Sequence, residues 1–164
     1  MEMTFKLDYN KFSEAFNKIP IQAARELRKQ MQDTTKAIVT DAKMHHRFKR
    51  KGGFLEKSIQ KLIHPSGLSA TVFLNEGVAS YGKYVHDGTG IYNGGKPYPI
   101  KPKNKKLLYF VSKKIGHLIS SKGVMHNGIK PDRFLYEAGK RQEPYFIARI
   151  NGAVKRIIEA AGLK

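Results

Sequence analysis

Apolar and small residues recur in steps of three and four at Ala24, Leu27, Met31, Thr35, Ile38, Ala42 and His45. That spacing lines one face of a helix and predicts one over 21–46. Arg25, Lys29, Asp33 and Lys36 take other positions on it. Pro20 suits a first helical turn, and the Gly52-Gly53 pair ends any continuation. A second stripe, Ile147, Ile150, Val154, Ile157, Ile158 and Ala161, predicts a C-terminal helix over 145–162 that stops at Gly162. Lys155 and Arg156 lie towards its C-terminal end, where the macrodipole favours cations. A shorter helical turn from Arg133 to Gln142 is expected to break before Pro144.

Between the helices the texture changes to strand. Lys57–Ile63 alternates, with Ile59, Lys61 and Ile63 on one face, and Ser69–Asn75 is rich in β-formers. His64–Gly67 between them has turn composition, so the two runs read as a hairpin. Ala79–Gly88 reads as a third strand, and Leu107–Val111 and His117–Ser121 as later ones. The order of helix, strands, helix predicts an α+β fold: an antiparallel sheet with the N-terminal and C-terminal helices packed on one face. A single domain over 1–164 is expected, with a β region over 57–127 and a projecting loop over 91–106. There is no internal repeat.

Composition narrows the class. With 40% hydrophobic and 27% charged residues, the chain has the means to bury a core and is unlike a disordered or membrane-spanning sequence. The opening "MEMTFKLDYNKF" has acids and no continuous apolar run, unlike a secretory signal. Without cysteine, disulfides, thiolate nucleophiles and cysteine zinc sites are excluded. The outlier is a net charge of +18, which favours a polyanionic partner: nucleic acid, an anionic membrane face or an acidic protein surface.

That charge is concentrated. From Gly88 to Pro131 there is no acid, while nine lysines occur: Lys96, Lys101, Lys103, Lys105, Lys106, Lys113, Lys114, Lys122 and Lys130. Within it "NGGKPYPIKPKNKK" combines glycines with three prolines, the composition of a projecting loop. Lysine meets phosphate as a mobile point charge and carries little base information. Tyr92, Tyr98, Tyr109 and Phe110 are interleaved, so stacking on single-stranded bases is one reading. The other puts Tyr109 and Phe110 in a half-buried strand. A second basic cluster, Lys43–Lys51, closes the first helix.

Other chemistry is poorly marked. On a strand His86 and Asp87 point to opposite faces and do not pair, and Gly88-Thr89-Gly90 is too short for a phosphate loop. The expected role of the two glycines is a tight turn, with Thr89 bonding backbone there. Asp41 and His45 have the i, i+4 spacing of a helical metal pair but lack a third ligand. No residues stand out for catalysis, a metal or a cofactor.

Three blocks, taken in order, carry a resemblance: Ala42-Lys43, then Gly53-Phe54-Leu55 and Ser58-Ile59; Tyr81-Gly82-Lys83-Tyr84-Val85-His86-Asp87-Gly88-Thr89; and Arg133-Phe134-Leu135-Tyr136-Glu137-Ala138. In these the chain resembles the tail-completion, or head–tail joining, family of neck proteins of long-tailed bacteriophages. His86-Asp87 departs from that family's Glu-Phe, and Arg133 from its proline. The resemblance implies a non-enzymatic virion protein at the head–tail junction, made in the bacterial cytoplasm, with no cofactor and no membrane partner. Its implied partners are copies of itself in a ring, neighbouring head-completion and tail proteins, and packaged double-stranded DNA. Tyr84, Gly88, Thr89, Phe134 and Leu135 become structural signature residues. Lys96, Lys101, Lys103, Lys105, Lys106, Lys113 and Lys114 become candidate contacts with DNA or a neighbouring ring. The alternative is a sequence-nonspecific nucleic-acid-binding protein without a virion role.

Overall fold

The structure, a computed structural model, describes residues 2–6, 21–48, 52–111, 116 and 118–160. Pro20, Lys113, Lys114, His117 and Gly162 lie outside the described residues.

The first helix, α1, spans Ile21–Met44. It buries the face its periodicity predicts: Leu27, Met31, Thr35, Ile38 and Ala42, with Ala23 and Thr34 beside them. After a short helix α2 (Phe54–Ser58), strands β2 (Ile59–Ile63) and β3 (Ser69–Leu74) form the expected antiparallel hairpin, from Ile59 opposite Leu74 to Ile63 opposite Ala70. Strand β1 (Glu2–Lys6), not foreseen in the sequence, pairs antiparallel on the free edge of β3, giving the order β1-β3-β2. The architecture is α+β.

Two expectations fail. The supposed third strand contains a short helix, α3 (Gly82–Asp87). Its buried positions, Gly82 and His86, stand four apart, which is a helical step. Gly82 packs closely there, since a Cβ would lie 3.1 Å from Leu55 Cδ1. The supposed break before Pro144 is also absent, because one helix, α4 (Phe134–Ala160), runs through it. Proline removes the hydrogen bond to the carbonyl of Lys140, but both residues sit on the exposed face, where water replaces the lost donor. The typical penalty, about 3 kcal/mol, is opposed by burial of Phe134, Leu135 and Ala138 before the proline and Ala153 after it.

The core gathers Ile38 and Ala42 of α1, Leu55 of α2, Ile59, Val72 and Leu74 of the sheet, Ala79, and Phe134, Leu135 and Ala138 of α4. Helix α1 lies across β2 and β3 and packs along α4. Two ionic clamps fix the helix pair. Asp41 accepts hydrogen bonds from Arg141 Nε at 3.0 Å, from Gln142 Nε2 at 3.5 Å and from His45. Glu26 pairs with Arg156. The earlier acid meets the later arginine, so the helices run antiparallel.

Burial would raise the Asp41 carboxyl, but the hydrogen bonds from Arg141, His45 and Gln142 outweigh it and hold the group below its ordinary value of 3.8. A depressed acid stabilises the fold fully above its unfolded value and loses that contribution as pH falls through the folded one. Chemical denaturation from pH 6 downward should therefore show wild-type stability declining below roughly pH 4. Asp41→Asn should start less stable and decline less steeply there. Parallel curves would remove Asp41 as the source.

Candidate functional site

The acid-free segment forms an arm. A 3₁₀ turn (Gly90–Asn93) leads into β4 (Tyr98–Ile100), which pairs antiparallel with β7 (Val124–His126). Further out, β5 (Leu108–Val111) pairs with β6 (Leu118–Ser121). The pairings nest, so the chain travels out along β4 and β5 and returns along β6 and β7. The expected loop over 91–106 is thus the outbound limb of a ribbon. Between the two ladders, 101–107 on the outbound limb face only Lys122 and Gly123 on the return limb. The excess forms a bulge that carries Lys101, Lys103, Lys105 and Lys106, all exposed, as is Lys96 before it.

None of the arm's described residues belongs to the core cluster. Tyr109 is 59% and Val111 65% exposed, and Phe110, Ile100 and Met125 are also exposed. This corrects the half-buried reading of Tyr109 and Phe110: the strand forms, but among the described residues its ladder is with β6 alone and both side chains are exposed. Lys130 approaches the Tyr92 ring at 5.9 Å, an exposed cation–π contact of modest strength.

The root of the arm explains Gly88-Thr89-Gly90. There the outbound and return limbs touch backbone to backbone. Thr89 N–H donates to the Ile129 carbonyl and Ile91 N–H to the Asn127 carbonyl, each at 2.9 Å, while Ile129 N–H donates to Thr89 Oγ1 at 2.9 Å. A Cβ on Gly90 would stand 2.3 Å from the Asn127 carbonyl oxygen, and one on Gly128 only 1.9 Å from that of Thr89. Both glycines also have positive φ, +62° and +110°. The expected tight turn forms, since the 3₁₀ turn starts at Gly90 and the Thr89 and Gly90 carbonyls accept the N–H groups of Tyr92 and Gly95. The glycines also serve a crossing of two distant segments. Thr89 does bond backbone, but across that crossing.

The return limb is then anchored to the body. Asp132 is buried, and its carboxylate accepts the backbone N–H groups of Arg47 at 2.7 Å and Phe48 at 2.8 Å. The Arg47 guanidinium lies 3.5 Å from the other carboxylate oxygen and donates to the Pro131 carbonyl at 2.9 Å. Asp132 N–H donates to the Val85 carbonyl at 3.0 Å. Part of the basic cluster after α1 thus has a structural task. Sequence reasoning missed Asp132, Asn127 and Gly128 because their partners lie more than 30 residues away; the only local signal was the turn-like Asn127-Gly128 pair.

The signature residues divide by role. Phe134 and Leu135 are fully buried, Gly88 is buried at the root with φ +77°, and Tyr84 is exposed. His86 and Asp87, expected to diverge, do pair: Nδ1 and Oδ1 are 2.7 Å apart, because neighbours on a helix are not on opposite faces. His86 is enclosed, its Nε2 has no hydrogen-bond partner among the described residues, and its ring meets Phe134 edge-on at 5.2 Å. Phe48 packs on Phe134 from another side, with His46 stacked on Phe48. Asp41 and His45 are occupied by the Arg141 clamp. Among the described residues no three His, Asp or Glu side chains gather to hold a metal, and no helix is long and apolar enough to cross a membrane. No family model, curated protein or solved structure matches the chain.

The root geometry predicts which changes are severe. Gly128→Ala should cost at least ~3 kcal/mol, because its methyl meets a hydrogen-bonded backbone that has nowhere to move. Asp132→Ala should cost about 2 kcal/mol by removing the buried carboxylate that accepts the part-buried N–H groups of Arg47 and Phe48. Gly94→Ala, with open space at its Cβ position, tests positive φ alone and should cost about 1 kcal/mol. Urea melts of the three variants decide the ranking; equal losses for Gly94→Ala and Gly128→Ala would remove the crossing as the reason.

Proposed function

We infer that the chain is a structural virion protein of a tailed phage or prophage, part of the head–tail connector ring as a tail-completion or head–tail joining protein. The observation that carries this reading is the division of labour between the resemblance blocks and the segment between them. Ala42, Leu55 and Ile59 of the first block and Phe134, Leu135 and Ala138 of the third share one core, and Val85 of the middle block packs against it. The acid-free arm between the second and third blocks stands apart from that core. A ring would repeat its lysines around a bore, opposite DNA that carries one charge per about 1.7 Å of axis. The body would hold position while the arm meets DNA or the rim of the neighbouring ring.

A second reading, a sequence-nonspecific nucleic-acid-binding protein outside any particle, is favoured by the arm itself. A two-stranded ribbon fits a DNA groove, and the exposed Tyr92 and Tyr109 offer stacking surfaces beside lysines. An enzyme acting on nucleic acid has less support, since the buried His86 has no open face towards a substrate.

Locating the protein separates these readings. Antibody label at the head–tail junction of purified particles, with the protein in their mass spectra, is the expected result. Absence from particles, with the protein on nucleic acid in the lysate, would favour the second reading. Within the neck reading, replacing Lys101, Lys103, Lys105 and Lys106 by Gln should lower the slope of log affinity for duplex DNA against log salt by roughly 3 to 4. An unchanged slope alongside failed assembly would assign the lysines to a protein rim.

A further inference from the structure

Strand β5 carries apolar side chains on both faces, with Leu108 and Phe110 on one and the exposed Tyr109 and Val111 on the other, and its register against β6 runs from Leu108 opposite Ser121 to Val111 opposite Leu118. Among the described residues both ribbon edges are unpaired. A lone two-stranded ribbon is marginal in water, and free edges beside exposed apolar side chains call for a cover.

The body carries an uncovered counterpart. Between α1 and α4 lies a groove of about 240 Å³ whose apolar lining is Met31, Ile38, Phe146 and Ile147, with two threonines, Gln142 and Glu143 among them. Ile147 is 52% exposed, although the sequence places it in the helix's apolar stripe. The volume falls below the roughly 300–1,000 Å³ of small-molecule sites and suits one or two side chains. The lining contains one acid and no lysine or arginine, whereas the arm contains lysines and no acid. Among the described residues, Tyr109 and Val111 on the arm and Ile147 at the groove all remain exposed within one molecule.

We propose that the apolar end of the arm, led by Tyr109 and Phe110, docks in the α1–α4 groove of a second copy of this chain. Reach permits it. From Tyr98 to Val111 a ribbon extends at most about 43 Å, against a radius of gyration of about 15 Å for a chain of this length. Because the two patches differ, the contact is head-to-tail, and it closes a ring when the rotation per subunit divides a full turn. The lysine bulge then lies between neighbouring bodies, on the span the arm crosses. The proposal deepens the ring-forming reading above by naming the subunit contact.

The chain has no cysteine, so introduced thiols report contacts without background. Tyr109→Cys and Ile147→Cys replace exposed side chains, and Lys155→Cys supplies an exposed control on α4. Equimolar Tyr109→Cys and Ile147→Cys full-length proteins, concentrated and oxidised with diamide, should form the mixed disulfide roughly tenfold faster than Tyr109→Cys with Lys155→Cys, because docking raises the effective thiol concentration. A chain carrying both thiols should give a ladder ending at a closed species. Equal rates with the control pair would overturn the proposal. So would Tyr109→Cys homodimers as the main product, which would pair arm with arm. Failure of the cross-link in a protein found at the neck removes only this contact, and absence from particles leaves a positive cross-link standing.

Discussion

One buried carboxylate sets the arrangement of everything around it. Asp132 binds the backbone N–H groups just after α1, its own N–H reaches the end of α3, and α4 begins two residues later. Three helices are thereby referred to a single residue. Next to it in sequence the return limb crosses the outbound limb at Gly88, Gly90 and Gly128, and next to it in space Phe134 joins the core. Charge-assisted hydrogen bonds of this kind are about twice as strong as neutral ones. Here two of them hold a junction that apolar packing alone would leave free to slide.

Several acids of this basic chain pair within its own fold. Asp41 and Glu26 hold α4 to α1, Asp132 holds the arm's root to the end of α1, and Asp87 pairs with the enclosed His86. The arm has none. Lysines there meet no acid of their own limb, so their charge is available to whatever the arm touches, and its effect is screened over about 8 Å at physiological salt.

What the sequence made legible follows from how local each cause is. The face of α1 and the β2–β3 hairpin were readable because their periods are carried by residues within a few positions of one another. Pro144 misled because its local rule is strong, while the burial on both sides that overrides it depends on tertiary contacts. The strand expected over 79–88 failed for a related reason: Gly82 weakens a helical reading, while its burial close against Leu55 depends on a tertiary contact that no local pattern shows. The lysine cluster was legible as composition. Its geometry was not, since the bulge separates the two ladders and hides their nesting, and the exposure of Tyr109 and Phe110 cannot be told from a strand pattern alone.

The glycine crossing separates two properties that are usually entangled. At the root, direction is fixed by backbone carbonyls and amides, by the Thr89 hydroxyl and the Asp132 carboxylate, and by a few places where no side chain fits. Beyond it, side chains decide what the ribbon adheres to and have no part in aiming it. The outer ribbon is therefore open to revision: its lysines and aromatics are free to be exchanged, lengthened or re-spaced while the bearing stays the same. A chain built this way is able to change the identity of what it grips without relearning how to fold.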